Sequence, residues 1–172
     1  MELSDFIRQV PNFPEDGVMF KDITPLLADP AAFRYCIDEM ARIVKDVQYE
    51  KIGAFDARGF LFGAALAYKE GKPLFPIRKK GKLPGPTVGE YLVKEYGTDT
   101  LEIHTDAVRP GDRVLLVDDV FSIGGTLKAG IDLVERLGGT VACSLMLIEL
   151  EEMHGREKLP GYDIRSLLRY PR

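Results

Sequence analysis

Two cysteines and two histidines are all that this 172-residue chain offers for disulfides or for thiolate and imidazole metal ligation. Cys36 and Cys143 lie far apart in apolar stretches, which reads as two buried, reduced thiols. His104 and His154 have no ligand cluster near them, so a metal held by protein side chains alone is not expected. No apolar stretch approaches the ~20 residues of a membrane helix. The start, Met1-Glu2-Leu3-Ser4-Asp5, lacks the basic stretch and apolar run of a secretory leader, and the cytoplasm is the expected location. A basic balance is missing too. The net charge of -4 and pI near 5.3 argue against a general nucleic-acid binder. Neither G-x-x-x-x-G-K-S/T nor G-x-G-x-x-G occurs, which speaks against an ATPase loop and a dinucleotide site.

What is present suffices for one domain over residues 1–172, with 45% hydrophobic residues and no repeat or linker. Residues 3–9 read as a short helix before a turn at Pro11, Pro14 and Gly17 and the apolar run Val18-Met19-Phe20. Asp29-Pro30 is a helix start, a capping carboxylate followed by proline at the first helical position. Phe33, Ile37, Met40 and Val44 continue it as one apolar stripe. Strands over 51–55, 74–77, 114–117 and 141–148 alternate with helices over 60–69 and 127–137, closed by Gly71 and by Gly138-Gly139. A basic Gly/Pro-rich segment, 79–87, leads into two extended stretches between 88 and 104, joined near Gly97, that read as a two-stranded arm. This alternation predicts an α/β, three-layer fold, a mostly parallel central sheet flanked by helices on both faces.

The chemistry concentrates in residues 114–126. An apolar strand, Val114-Leu115-Leu116-Val117, delivers Asp118 and Asp119 to the carboxyl edge of the sheet, where ligands of open α/β sheets bind. Ser122-Ile123-Gly124-Gly125-Thr126 then turns into a helix, whose first N–H groups and dipole favour an anion. Carboxylates beside a phosphate cradle are compatible only if they face something else, such as a ribose diol or a cation. The plainer alternative is a helix cap after a tight turn. A second strand end carries Asp56-Ala57-Arg58-Gly59, where an arginine fork suits a diphosphate, although a surface arginine explains it equally. Arg78-Lys79-Lys80-Gly81-Lys82 is either a solvated basic loop or a polyanion contact.

Taken together, these segments resemble the type I phosphoribosyltransferases, and within them the adenine-specific branch. Asn12-Phe13-Pro14 with residues 17–26 resembles the N-terminal base-side segment, set within residues 1–30. Asp56-Ala57-Arg58-Gly59-Phe60-Leu61-Phe62-Gly63 resembles the pyrophosphate loop. Residues 78–86, Glu95-Tyr96-Gly97 and Leu101-Glu102-Ile103 resemble a flexible hood over 79–105, and residues 117–126 the shared sugar-phosphate motif. Gly155-Arg156-Glu157-Lys158-Leu159 also matches.

The resemblance implies transfer of phosphoribose from 5-phosphoribosyl 1-diphosphate to adenine, with Mg2+ on the diphosphate and a homodimer. It assigns the 5-phosphate to Ser122, Ile123, Gly124, Gly125 and Thr126, and the ribose hydroxyls to Asp118 and Asp119. The diphosphate falls to Arg58, Lys79 and Lys82. Phe20 would stack on adenine, backbone near Val18 and Met19 would read its edge, and Lys21 belongs to the same base-side set. Glu95 would handle a proton at the base, with Tyr96 beside it. Two departures stand out. Family members usually carry Ala-Thr where this chain has Ser122-Ile123, and a lost hydroxyl bond to a charged oxygen costs ~1.5–3 kcal/mol. Some members carry arginine in place of Lys21, which keeps charge without the fork. A hypoxanthine or guanine enzyme would share the sugar site but not the Phe20 segment. A non-catalytic binder of the sugar diphosphate usually carries an extra module, for which few residues are spare.

Overall fold

A run that is apolar at every position, such as residues 114–117, can be buried in a strand only if both faces of its sheet are covered. The computed structural model, which describes residues 1–93 and 97–171, meets that requirement. A 3-10 turn at Leu3–Phe6 precedes an antiparallel hairpin of β1 (Arg8–Pro11) and β2 (Met19–Asp22). Next come α1 (Thr24–Ala28), α2 (Pro30–Ile43), β3 (Lys51–Phe55), α3 (Gly59–Glu70) and β4 (Leu74–Lys79). A second hairpin, β5 (Thr87–Val93) and β6 (Thr98–His104), leads to β7 (Arg113–Phe121), α4 (Gly125–Arg136) and β8 (Thr140–Leu150). After 3-10 turns at Glu151–Met153 and Gly155–Lys158 the last strand is β9 (Ile164–Tyr170).

Seven strands form the main sheet in the order β5-β6-β4-β3-β7-β8-β9. From β4 to β9 every pair is parallel, and the β5–β6 hairpin is added antiparallel at one edge. Alternate residues of β7 serve opposite layers. Leu115 and Val117 pack with Cys36, Met40, Phe62 and Leu66 of α2 and α3, whereas Val114 and Leu116 pack with Leu127, Ile131 and Val134 of α4. The three-layer α/β expectation is therefore borne out. Burial pushes both thiols, Cys36 and Cys143, up to about 12.

Local signals explain the helix ends. Asp29 Oδ1 accepts from the Ala32 N–H at 2.9 Å with Pro30 at the first position, and Gly71 closes α3 in the left-handed region (φ +64°). Other elements differ from expectation. The first helical turn ends at Phe6, because residues 8–11 pair with β2. β7 continues through Phe121, so Asp118 and Asp119 lie within the strand, and α4 begins at Gly125, two residues early. β9 was not anticipated. As an edge strand it is paired on one side only among the described residues, and it mixes Arg165 and Arg169 with apolar residues. The arm is a continuation of the sheet at its base, pairing Arg78 with Glu102 and Lys79 with Leu101 and burying Leu92, Leu101 and Ile103.

The α4 layer lies close to the sheet because Gly130 leaves room for the Phe55 ring. A Cβ at Gly130 would overlap Phe55 Cζ and stand 2.7 Å from Cε1. Gly130→Ala gains up to ~1 kcal/mol of helix propensity but overpacks a rigid ring at ~1–3 kcal/mol. A net loss of Tm, by a few degrees at roughly 2–4 °C per kcal/mol, is expected in thermal unfolding.

Candidate active site

The parallel strands β3, β4 and β7 release their chains at one edge of the sheet, and the site is built there. From β7, Asp118 and Asp119 are followed by Ser122, Ile123 and Gly124 and then by α4. Gly124 takes φ +91° as the residue before the helix, and no side chain caps that end among the described residues. The N–H groups of the first turn are thus left for another acceptor. Asp118, Ser122, Ile123, Gly124, Gly125 and Thr126 line a cavity of about 40 Å³, closed by Phe121 and Met146. A water needs ~10–15 Å³, so the space suits a group the size of a phosphate. Met146, on the neighbouring strand β8, carried no signal of its own in the sequence.

The carboxylates sit in tension. Asp119 is buried, and Asp118 faces the cavity but is otherwise enclosed. Burial and the adjacent Asp119 together raise the Asp118 carboxyl well above the ordinary carboxylate range. Its Oδ1 accepts from the Asp119 N–H at 2.8 Å. From β3, the chain passes a cis Asp56–Ala57 peptide to Arg58 and Gly59. A Cβ at Gly59 would stand 2.7 Å from Asp118 Oδ1, so only glycine lets the start of α3 lie against that carboxyl. The motif D-A-R-G marked this glycine, but its reason is spatial.

Arg58 joins the two halves of the site. Its Nε lies 2.7 Å from Asp119 Oδ2 as an ion pair. The approach is off the N–H direction, and Oδ2 keeps no hydrogen-bond donor among the described residues. The same guanidinium lies over the Phe20 ring, 5.4 Å from its centroid. Phe13 meets Phe20 in an edge-to-face arrangement, with ring centroids 5.2 Å apart at 74°. Phe13 was not singled out as a site residue, although it stands in the quoted Asn12-Phe13-Pro14.

Other expected residues fall elsewhere. Lys21 is buried on the opposite face of β2 from Phe20, donating to Gln9 Oε1 at 2.9 Å with its ammonium 4.4 Å from the Tyr170 ring centre. Burial lowers its pKa, with Glu152 acting the other way. Lys21 therefore docks the hairpin, and its ammonium does not reach the Phe20–Arg58 group. The Val18 N–H donates to Glu15 O and its carbonyl accepts from Phe13, so this backbone is engaged within the turn. Met19 is exposed on β2, whose second edge is unpaired among the described residues. Lys79, the last residue of β4, and Lys82 beyond it are exposed, and Lys79 Nζ lies 3.9 Å from Asp99 Oδ2. Arg78 pairs with Asp56 at 3.1 Å. Glu95 and Tyr96 lie outside the described residues.

Comparison with known proteins agrees with this fold. The phosphoribosyl transferase domain family matches residues 24–168. An adenine phosphoribosyltransferase of Kosmotoga olearia is 51% identical over 170 residues, covering 99% of this chain and 100% of that protein. The crystal structure of adenine phosphoribosyltransferase from Thermoanaerobacter pseudethanolicus superimposes with a TM-score of 0.96 at 49% identity, covering 98% of each chain. The Saccharomyces cerevisiae enzyme, complexed with an imino-altritol bisphosphate and adenine, gives 0.90 at 35% identity over 95% of each chain.

The raised Asp118 pKa has a stability consequence. The folded state holds this proton more tightly than the unfolded chain, so stability falls as pH rises from the ordinary carboxylate value (~3.9) through the raised one. Asp118→Asn removes that loss. Its Tm should equal that of the parent at low pH and exceed it increasingly above, by roughly 2–4 °C per kcal/mol relieved. Thermal melts across a pH series measure the difference.

Proposed function

The chain belongs to the phosphoribosyl transferase family, and we propose that it transfers the 5-phosphoribosyl group of 5-phosphoribosyl 1-diphosphate to adenine, making AMP and diphosphate in purine salvage. The observation that carries this reading is the double contact of Arg58, with Asp119 on one side and Phe20 on the other. It puts a carboxylate pair suited to a ribose and an aromatic platform suited to a purine within reach of one guanidinium.

The roles follow from charge. The uncapped start of α4 and the residues 122–126 take the 5-phosphate, and Asp118 and Asp119 take the ribose hydroxyls. Breaking the bond at C1 leaves positive charge on the ring and negative charge on the departing diphosphate. The carboxylates tolerate the first, while Arg58, with Lys79 and Lys82 brought in from the β4 side, stabilises the second. Phe20 stacks on adenine, and the unpaired edge of β2 at Met19 supplies backbone groups for the base. N9 bonds to C1 and gives up its proton, for which Glu95, with Tyr96 beside it, is the candidate by family resemblance. The hairpin of β5 and β6 is a lid that keeps water from the activated sugar.

Mg2+ would be carried on the diphosphate, and the hard carboxylate oxygens of Asp118 and Asp119 at the same sheet edge are the kind of donor this ion accepts beside a phosphate. When bound on the diphosphate it would neutralise charge on the leaving group. The cytoplasm is the proposed location, and no described helix is long and apolar enough to cross a membrane.

A second copy is the proposed partner of α3. Residues 59–68 are apolar on every side of that helix, with Tyr68 92% and Leu61 44% exposed, and an all-apolar helix is normally covered. The groove it forms with α2 holds about 530 Å³. Arg34, Asp38 and Lys69 at its rim offer both signs of charge, as a symmetric contact requires. Tyr68→Glu should elute near the monomer mass of 19.2 kDa in light-scattering chromatography, where the parent runs as a dimer.

The activity test is direct. Protein with Mg2+ and the sugar diphosphate should form AMP from adenine in clear preference to IMP or GMP from hypoxanthine or guanine. Asp119→Asn should raise KM for the sugar diphosphate more than KM for adenine. Binding of the sugar diphosphate without AMP formation would favour a non-catalytic binder instead.

A further inference from the structure

Against the phosphate loop lies the turn of residues 154–156, none of which is among the described residues lining the cavity. The contact is backbone against backbone. A Cβ at Gly155 would overlap the Ser122 carbonyl oxygen and stand 2.8 Å from Phe121 Cζ. From the other side, a Cβ at Gly124 would stand 3.2 Å from the Gly155 oxygen. Two glycines therefore face each other across the loop. Gly155 is buried and is not among the described residues that line the cavity, so it backs the loop without touching what the cavity holds.

The next residue fastens this turn. Arg156 donates from Nε to Glu149 Oε1 at 2.6 Å and from Nη2 to Oε2 at 2.8 Å, a two-pronged fork. Glu149 is only 3% exposed and stands beside Phe121 in the β7–β8 register. Its Oε2 also accepts from Ser166 Oγ at 2.7 Å, and Arg169 Nε lies 3.6 Å away. Burial alone would raise this carboxyl, but Arg156, Ser166 and Arg169 outweigh it and hold it below the ordinary range. A buried charge with this many partners is costly to build, and nothing in the proposed chemistry touches it directly.

Peptide planarity connects the fork to the ligand. In a trans peptide the C=O of one residue and the N–H of the next point in opposite directions. Holding the Ser122 carbonyl against Gly155 therefore aims the Ile123 N–H away from the turn. Ile123 has no side-chain donor, so its backbone N–H is the only one it can offer. We propose that Arg156 and Glu149 are positioning residues for the phosphate loop: their fork presses Gly155 onto Ser122 and so sets the Ile123 peptide for the 5-phosphate of the ligand.

This rests on the phosphoribosyl reading, so the test includes binding of ribose 5-phosphate, which does not depend on turnover. Arg156→Lys keeps the charge and loses the fork, Arg156→Met loses both, and Gly155→Ala disturbs the contact itself. For variants that melt within a few degrees of the parent, ribose 5-phosphate affinity by calorimetry should fall about tenfold for Met and less for Lys, as a small misplacement of contact groups would give. In turnover, KM for the sugar diphosphate should rise while KM for adenine stays near that of the parent. Unchanged ribose 5-phosphate affinity in a folded Arg156→Lys and Arg156→Met pair would overturn the proposal. So would an equal rise in both KM values, which marks general loosening. If Arg156→Met does not fold, the Lys and Ala variants decide by the same readouts. If the parent binds ribose 5-phosphate but makes no AMP, the enzymatic reading fails while the binding comparison still decides the role of the fork.

Discussion

Parallel pairing of β3 with β7 is the constraint on which the site depends. The register sets Ala54 beside Val117, so the two chains leave the sheet side by side and in the same direction. Arg58 and Gly59 from one strand therefore meet Asp118 and Asp119 from the other. Gly59 is needed because the start of α3 runs against Asp118 Oδ1, where a Cβ would stand at 2.7 Å. The same parallel arrangement turns the N-terminal ends of α3 and α4 toward this edge, and both dipoles then favour negative charge there.

That edge is electrostatically divided. Two adjacent carboxylates, one with a strongly raised pKa, lie next to a loop shaped for an anion. Neither arrangement favours the free protein. Arg58 relieves part of the conflict by pairing with Asp119, at an off-axis angle that leaves Oδ2 without a hydrogen-bond donor among the described residues. Local rules of folding are broken here, as they are at sites that keep groups for a ligand. Glu149 is the reverse case, a buried carboxylate held by Arg156, Ser166 and Arg169.

Much of the frame was legible where a signal is local. Asp29-Pro30 and Gly71 mark helix ends through their own backbone chemistry, and the apolar run of β7 marks a strand buried on both faces. β1 and β9 were not legible. Each is an edge or short strand whose partner lies elsewhere, and neither has a clean apolar alternation. Lys21 and Lys79 show the same limit for side chains. Both are cations in a recognised motif, yet one packs on Tyr170 from the last strand and the other faces Asp99 of the hairpin.

What the sequence determined by itself is the strand, acidic pair, glycine loop and helix start of residues 114–126, and with them the expectation of an anion there. Strand, acidic pair, glycines and helix start are contiguous, and the backbone of a strand–turn–helix places them with no help from distant residues. Only the tertiary structure decided which remote groups share that site. The meeting of Arg58 with both Phe20 and Asp119, the close approach of Gly59 to Asp118 and the backing of Ser122 by Gly155 all follow from strand order and register, which are properties of pairing between segments and leave no periodic mark in any one of them.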